Sequence, residues 1–228
     1  MSSIISKIIA ASNYKLEQFS QTEIDSVESL ITTQTDKKGN EVYYVKCQIR
    51  DKEIKLTDEE LVRQLYINKL INEYNYPKEK MELEYSVSFG REKKRADIVI
   101  FDKIATTSPY IIVELKKPKL KDGKEQLKSY CNATGAPIGV WTNGGQISFY
   151  HRKDPNLFED LPNIPTFNEK LSDILSERWT IADLIAKDKL ITEKKSLKDL
   201  ILEMEDEVLA NAGVDVFEEV FKLIFTKL

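Results

Sequence analysis

An α/β fold with a mixed central sheet flanked by helices is what this 228-residue sequence predicts, on three observations. Helical and strand periodicities alternate along the first two thirds of the chain, in the order helix, three strands, helix, two strands. The last two strands flank "NGG", a strong hairpin signal. Two adjacent apolar strands, "RADIVIFD" (95–102) and "YIIVELKKP" (110–118), carry Asp97, Glu114 and Lys116 where a core is expected. An unpaired charge buried there is costly unless a partner or a metal compensates it.

The first segment has Ile4, Ile5, Ile8 and Ile9 at helical spacing and lacks a basic leader with a long apolar run, so it predicts a packed or docking helix, not a signal peptide. A polar stretch "TTQTDKKGNEV" follows, then "VYYVKCQI" with strand alternation. Thr57 or Asp58 can cap a helix through "DEELVRQLYINKLINEY", with Leu61, Leu65, Asn68 and Ile71 at near-helical spacing and Tyr76-Pro77 as its stop. "MELEYSVSF" alternates apolar and polar, and Gly90 breaks it before the two charged strands. "DGKEQLKSYCNAT" reads as a helix ended by Gly135, and "APIGVWTNGGQISFYH" as the hairpin.

These elements place a first domain at 1–154. Three prolines mark 155–167 as a linker, and 168–228 reads as a helical connector. Within it, Leu197, Leu200, Ile201, Met204, Val208 and Leu209 form an apolar stripe. The final helix, with Val216, Phe217, Val220, Phe221, Leu223, Ile224 and Phe225, is apolar on so many sides that a longer parent protein is expected.

Composition narrows the function. No apolar run approaches the roughly 20 residues of a membrane span. Cys47 and Cys131 stand alone, which supports neither a disulfide framework nor a zinc site and points to reducing cytoplasm. His151 is the sole histidine and lies past the hairpin, which leaves Ser-His-Asp and Cys-His mechanisms without a base. There is no G-x-x-x-x-G-K-[ST] loop, hence no ATP site of that kind. The net charge is −4, yet from Arg91 to Lys128 eleven Lys or Arg face six Asp or Glu, a local excess of five. Trp141 in "VWTNGG" reads as core packing more readily than as a DNA contact.

The charged strands then acquire a chemical reading. In "VELKK", Glu114 and Lys116 share one side of the strand while Val113 and Leu115 pack the other way. Antiparallel pairing with the preceding strand brings Asp97 beside Glu114, and two close carboxylates repel unless a cation lies between them. A hard divalent ion that keeps several waters suits Asp97, Glu114 and the Leu115 carbonyl, which favours Mg²⁺ with Mn²⁺ as a substitute. Lys116 is placed to orient or help deprotonate an attacking water and to stabilise charge on phosphorus. Such a constellation hydrolyses phosphodiesters. The plainer alternative is an Asp–Lys ion pair between edge strands beside a solvated lysine-rich loop.

Together, "TDEELVRQLYINKLINEYNYP", "ELEYSVSFGREKKRADIVIFD", "YIIVELKKP" and "QLKSYCNATGAPIGVWTNGGQISFY", roughly Thr57 to Tyr150, resemble the N-terminal nuclease domain of type I restriction endonuclease R subunits and related fused restriction-modification enzymes of the PD-(D/E)xK superfamily. The resemblance implies a restriction-endonuclease-like core, with Asp97 as the acid of the first motif, although Ala96 stands where the proline is usual, and Glu114 and Lys116 as the second motif. It implies a QxxxY helix at Gln126 and Tyr130 facing the scissile strand, and a further metal or water ligand at Glu60. In the flanking basic stretches Arg95 and Lys117 are candidate DNA contacts. The implied activity is Mg²⁺-dependent cleavage of double-stranded DNA, with methyltransferase, specificity or translocase modules as partners. Two other readings stay open: a catalytically silent module for DNA binding or subunit docking, and a repair or RNA nuclease of the same superfamily.

Overall fold

A computed structural model describes residues 3–10, 12, 14–117 and 123–176. The chain divides into two compact units, Met1–Ser176 and Glu177–Leu228. The second unit, and with it the expected apolar stripe and terminal helix, lies outside the described residues.

Helix α1 (Ile4–Ala10) and helix α2 (Gln21–Glu28) open the chain, α2 starting from a capping box in which Ser20 and Glu23 satisfy each other's backbone N–H groups. An antiparallel sheet of three strands follows: β1 (Ile31–Thr35), β2 (Glu41–Lys46) and β3 (Glu53–Lys55). Strand β1 lies in the stretch expected to be merely polar. Its residues Thr32 to Thr35 are exposed, so no apolar alternation marks it, and the Asp36–Asn40 turn holds its register with β2.

Helix α3 (Asp58–Asn72) begins at Thr57, whose hydroxyl accepts the Glu60 N–H at 3.2 Å. It is buried on nearly all sides, which explains why its sequence shows no single clean apolar stripe. Strands β4 (Met81–Phe89), β5 (Glu92–Phe101) and β6 (Pro109–Leu115) are followed by helix α4 (Gly123–Thr134), strands β7 (Ile138–Thr142), β8 (Ile147–Asp154) and β9 (Leu157–Leu161), and helix α5 (Leu171–Ser176). Strands β4 to β9 form one sheet in sequence order, antiparallel except for the parallel β6–β7 pair that α4 connects. The expected mixed α/β architecture is therefore present. Gly90 (φ 61°), Gly135 (φ 80°) and Gly144 (φ 88°) end β4, end α4 and turn the β7–β8 hairpin.

Ile98, Ile100, Ile111, Val113, Ile138 and Val140 pack in one core with Leu61 and Leu65 of α3. Val99 and Ile112 pack in a second core with Leu127, Tyr130 and Cys131 of α4. The sheet is thus covered on both faces. The segment 155–167 is not the linker expected from its prolines. It supplies edge strand β9, and beyond it Asn163 accepts the Tyr74 hydroxyl at 2.6 Å and the Pro165 carbonyl accepts the Tyr76 hydroxyl at 2.8 Å. Proline is tolerated there because Pro155 precedes the edge strand and Pro162 follows it. Among the described residues no helix is long and apolar enough to cross a membrane.

Candidate active site

The site forms where β5 and β6 diverge. Cross-strand neighbours Ile98↔Val113 place Asp97 and Glu114 next in register, as antiparallel pairing requires. Asp97 sits at an interruption of the pleat: Ala96 packs in the α4 core and Ile98 in the α3 core, although residues two apart on a regular strand share a face. Opposite it, Glu84 holds a left-handed φ of 54° between the pairs Leu83↔Ile98 and Tyr85↔Ala96. Such a residue costs on the order of 1–3 kcal/mol and persists where its surroundings fix it. Here Arg50 fixes it, donating to the Leu83 carbonyl at 3.0 Å and to the Glu84 carboxylate at 2.7 Å.

Both Asp97 oxygens are engaged. Oδ2 accepts the Leu115 N–H at 2.8 Å and Oδ1 accepts Nη2 of Arg63 at 2.8 Å. Glu114, only 1% exposed, meets Nζ of Lys116 at 2.7 Å through Oε1, while its Oε2 is buried without a partner. Burial first, and then the charge of Asp97, push the Glu114 carboxyl up to about 8, against the attraction of Lys116. Lys116 is held above its ordinary value: burial pulls it down, and Glu114 and Asp97 more than offset this. An ammonium held between Glu114 and Gln126 suits the charge-stabilising role expected of it.

A hydrogen-bonded chain runs from this ammonium into α4. Lys116 donates to Oε1 of Gln126 at 3.0 Å, Gln126 donates to the Tyr130 hydroxyl at 2.5 Å, and that hydroxyl donates to the Arg95 carbonyl at 3.2 Å. Tyr130 is 1% exposed, so it faces the interior and not DNA as expected. Four-residue spacing makes Gln126 and Tyr130 neighbours on one helix face, but the docking of α4 turns that face towards β5. Arg95 and Lys117 are exposed, as phosphate contacts need. Glu60 is 8% exposed and is tied to Arg63 and, at 2.8 Å, to the amide of Gln64.

Four further residues belong here. Arg63 contacts Asp97, Glu60 and, at 3.2 Å, Glu59, with its Nε buried and unpartnered. The cue to it is its spacing from Glu59 and Glu60 on α3. Trp141 is core, as expected, but it is paired in register with Glu114 and its buried Nε1 has no partner. Gly123 packs against both Trp141 and Lys116: a Cβ there would lie 2.3 Å from Cγ of Lys116 and 2.6 Å from Nε1 of Trp141. Tyr14 also has a buried, unpartnered hydroxyl, and burial, followed by the charges of Glu59, Asp58 and Asp97, pushes its phenol up. Nothing in its sequence surroundings signals this placement.

The donor set fits a hard cation. Among the described residues no group of three or more His, Cys, Asp or Glu side chains is gathered into a cage. Mg²⁺ needs none, being held by one or two carboxylates with water and substrate oxygens. Two adjacent carboxylates with a free buried Oε2 meet that requirement.

Residues 58–165 match the family model described as the type I restriction enzyme R protein N terminus. No curated protein is significantly similar to the chain. Among solved structures, a candidate nuclease belonging to DUF820 from Anabaena variabilis ATCC 29413 is 16% identical with a TM-score of 0.36, over 60% of this chain and 88% of that one, a likeness too distant to carry an argument. The motifs and their order agree with that similarity to the type I restriction enzyme R protein N terminus, which spans residues 58–165, just under half of the chain.

Proposed function

We propose that this nuclease-type domain is the Mg²⁺-dependent DNA endonuclease module of a restriction-modification enzyme. The observation that carries this reading is the juxtaposition of Asp97 and Glu114, one of them with an unpartnered buried oxygen, beside the ammonium of Lys116. Asp97, Glu114 and the Leu115 carbonyl would hold Mg²⁺, with Mn²⁺ as substitute and Glu60 in support. When bound, the ion supplies Lewis-acid polarisation of the phosphate and a more acidic coordinated water. Lys116 stabilises the charge that grows on the phosphoryl oxygens. Gln126 orients Lys116, and Tyr130 ties that orientation to the backbone of β5. Arg95 and Lys117 contact the phosphate backbone of double-stranded DNA. Base recognition comes from methyltransferase, specificity or translocase modules in the same or a partner chain, because no described element has the form of a base-reading helix in a basic domain.

A second reading is a silent nuclease-fold module for DNA binding or docking. It draws on Arg63, which already balances Asp97 without any ion.

Incubating the 228-residue chain with supercoiled plasmid and Mg²⁺ or Mn²⁺ at low salt is expected to yield sparse random nicks. Asp97→Asn, Glu114→Gln and Lys116→Met should each remove them without loss of fold by circular dichroism. Nicking that survives all three substitutions would sink the proposal. No metal-dependent cutting even in the presence of the recognition and translocation modules would favour the silent reading.

A further inference from the structure

Arg63 is the most heavily engaged cation in the described part of the molecule. Its guanidinium contacts Asp97 at 2.8 Å, Glu60, and Glu59 at 3.2 Å, and its side chain is 10% exposed. A guanidinium does not lose its proton in a protein, so this charge is permanent. It rests on the carboxylate that the proposed function gives to a divalent cation, and two cations on one partly buried carboxylate repel. The three acids are not equally committed. Glu60 is buried and also accepts from Gln64, whereas Glu59 is partly exposed and makes the longer contact. Glu59 therefore offers a seat to which the guanidinium can shift without becoming unpaired.

We infer that Arg63 is an internal counter-cation that competes with the divalent ion for Asp97: it holds the site together in the ion's absence and moves towards Glu59 when the ion binds. The inference rests on the metal reading of Asp97 and Glu114. It makes Arg63 a positioning residue that weakens metal binding, the opposite of a residue that assists it. Breaking a buried ion pair from one side leaves the other side uncompensated, so the same residue stabilises the metal-free fold.

The test is Mn²⁺ titration by calorimetry on the full chain, with thermal unfolding in chelator and in Mn²⁺. Arg63→Gln is expected to lower the melting temperature in chelator, to tighten Mn²⁺ binding by on the order of tenfold, within the range usual for coupled sites, and to show a larger stabilisation by Mn²⁺ than the wild type. Glu59→Gln should weaken Mn²⁺ binding several-fold more in the wild-type background than in the Arg63→Gln background, where only the through-space loss of its charge at Glu114 remains. Equal weakening in both backgrounds would show that Glu59 acts on the ion independently of Arg63 and overturn the inference. Unchanged or weaker binding by Arg63→Gln would also overturn it. Should that variant not fold, Glu59→Gln decides alone, and unchanged affinity refutes the exchange. Absence of Mn²⁺ binding by the wild type, or equal binding by Asp97→Asn, would instead remove the metal reading beneath it.

Discussion

Glutamine at position 114 is expected to stabilise the metal-free protein increasingly as pH rises, while removing the metal-binding function. Glu114 is 1% exposed, and its carboxyl moves from an ordinary 4.5 to about 8 in the fold, by burial and by Asp97. The folded state therefore keeps a proton that the unfolded chain has released between those two values. Stability must fall as pH rises through that window, at about 1.4 kcal/mol per pH unit, and the loss is complete above the folded value. From 4.5 to about 8 this amounts to a loss on the order of 5 kcal/mol in the wild type, much of a domain's usual 5–15 kcal/mol. Glu114→Gln keeps an oxygen to accept from Lys116 but has nothing to titrate. Its stability profile should lack this descent, starting slightly below the wild type near pH 5 and lying well above it near pH 9. Urea denaturation of both chains in chelator at one-unit pH steps measures the two slopes, and the same series in Mn²⁺ should flatten the wild-type descent, because a cation favours the ionised carboxylate. Parallel profiles in chelator would refute the claim that Glu114 carries a burial penalty tolerated for function.

Gly123→Ala should cost up to about 2 kcal/mol, since overpacking against Lys116 and Trp141 at 2.3 and 2.6 Å outweighs alanine's advantage of roughly 1 kcal/mol in a helix. It should reduce cleavage on the order of 100-fold by displacing Lys116 from Glu114, and wild-type turnover would show that the Lys116 geometry is not critical. Tyr130→Phe keeps the ring in the core but leaves the Arg95 carbonyl without its donor, for about 1–2 kcal/mol. Turnover should drop with DNA affinity unchanged in a binding assay, and the reverse pattern would restore Tyr130 as a DNA contact.

Much of the α/β architecture could be read from the sequence because its signals are local. Period-two alternation marks β4, the "NGG" turn marks the β7–β8 hairpin, and Gly135 marks the end of α4. Asp97, Glu114 and Lys116 stood out for the same reason: a charge inside an apolar strand is anomalous within a few residues of sequence. Strands β1 and β9 were not legible, being exposed on one face or at an edge, where pairing and not burial selects the residues. Nor was the direction of Tyr130, because spacing determines which side chains are neighbours on a helix but not what the helix docks against. Arg63 shows the difference most sharply. Its contacts with Glu59 and Glu60 follow from three- and four-residue spacing on α3, whereas its contact with Asp97 spans 34 positions in the chain. Only packing of α3 against the sheet brings that guanidinium to the carboxylate, and with it the competition for charge that the site must resolve.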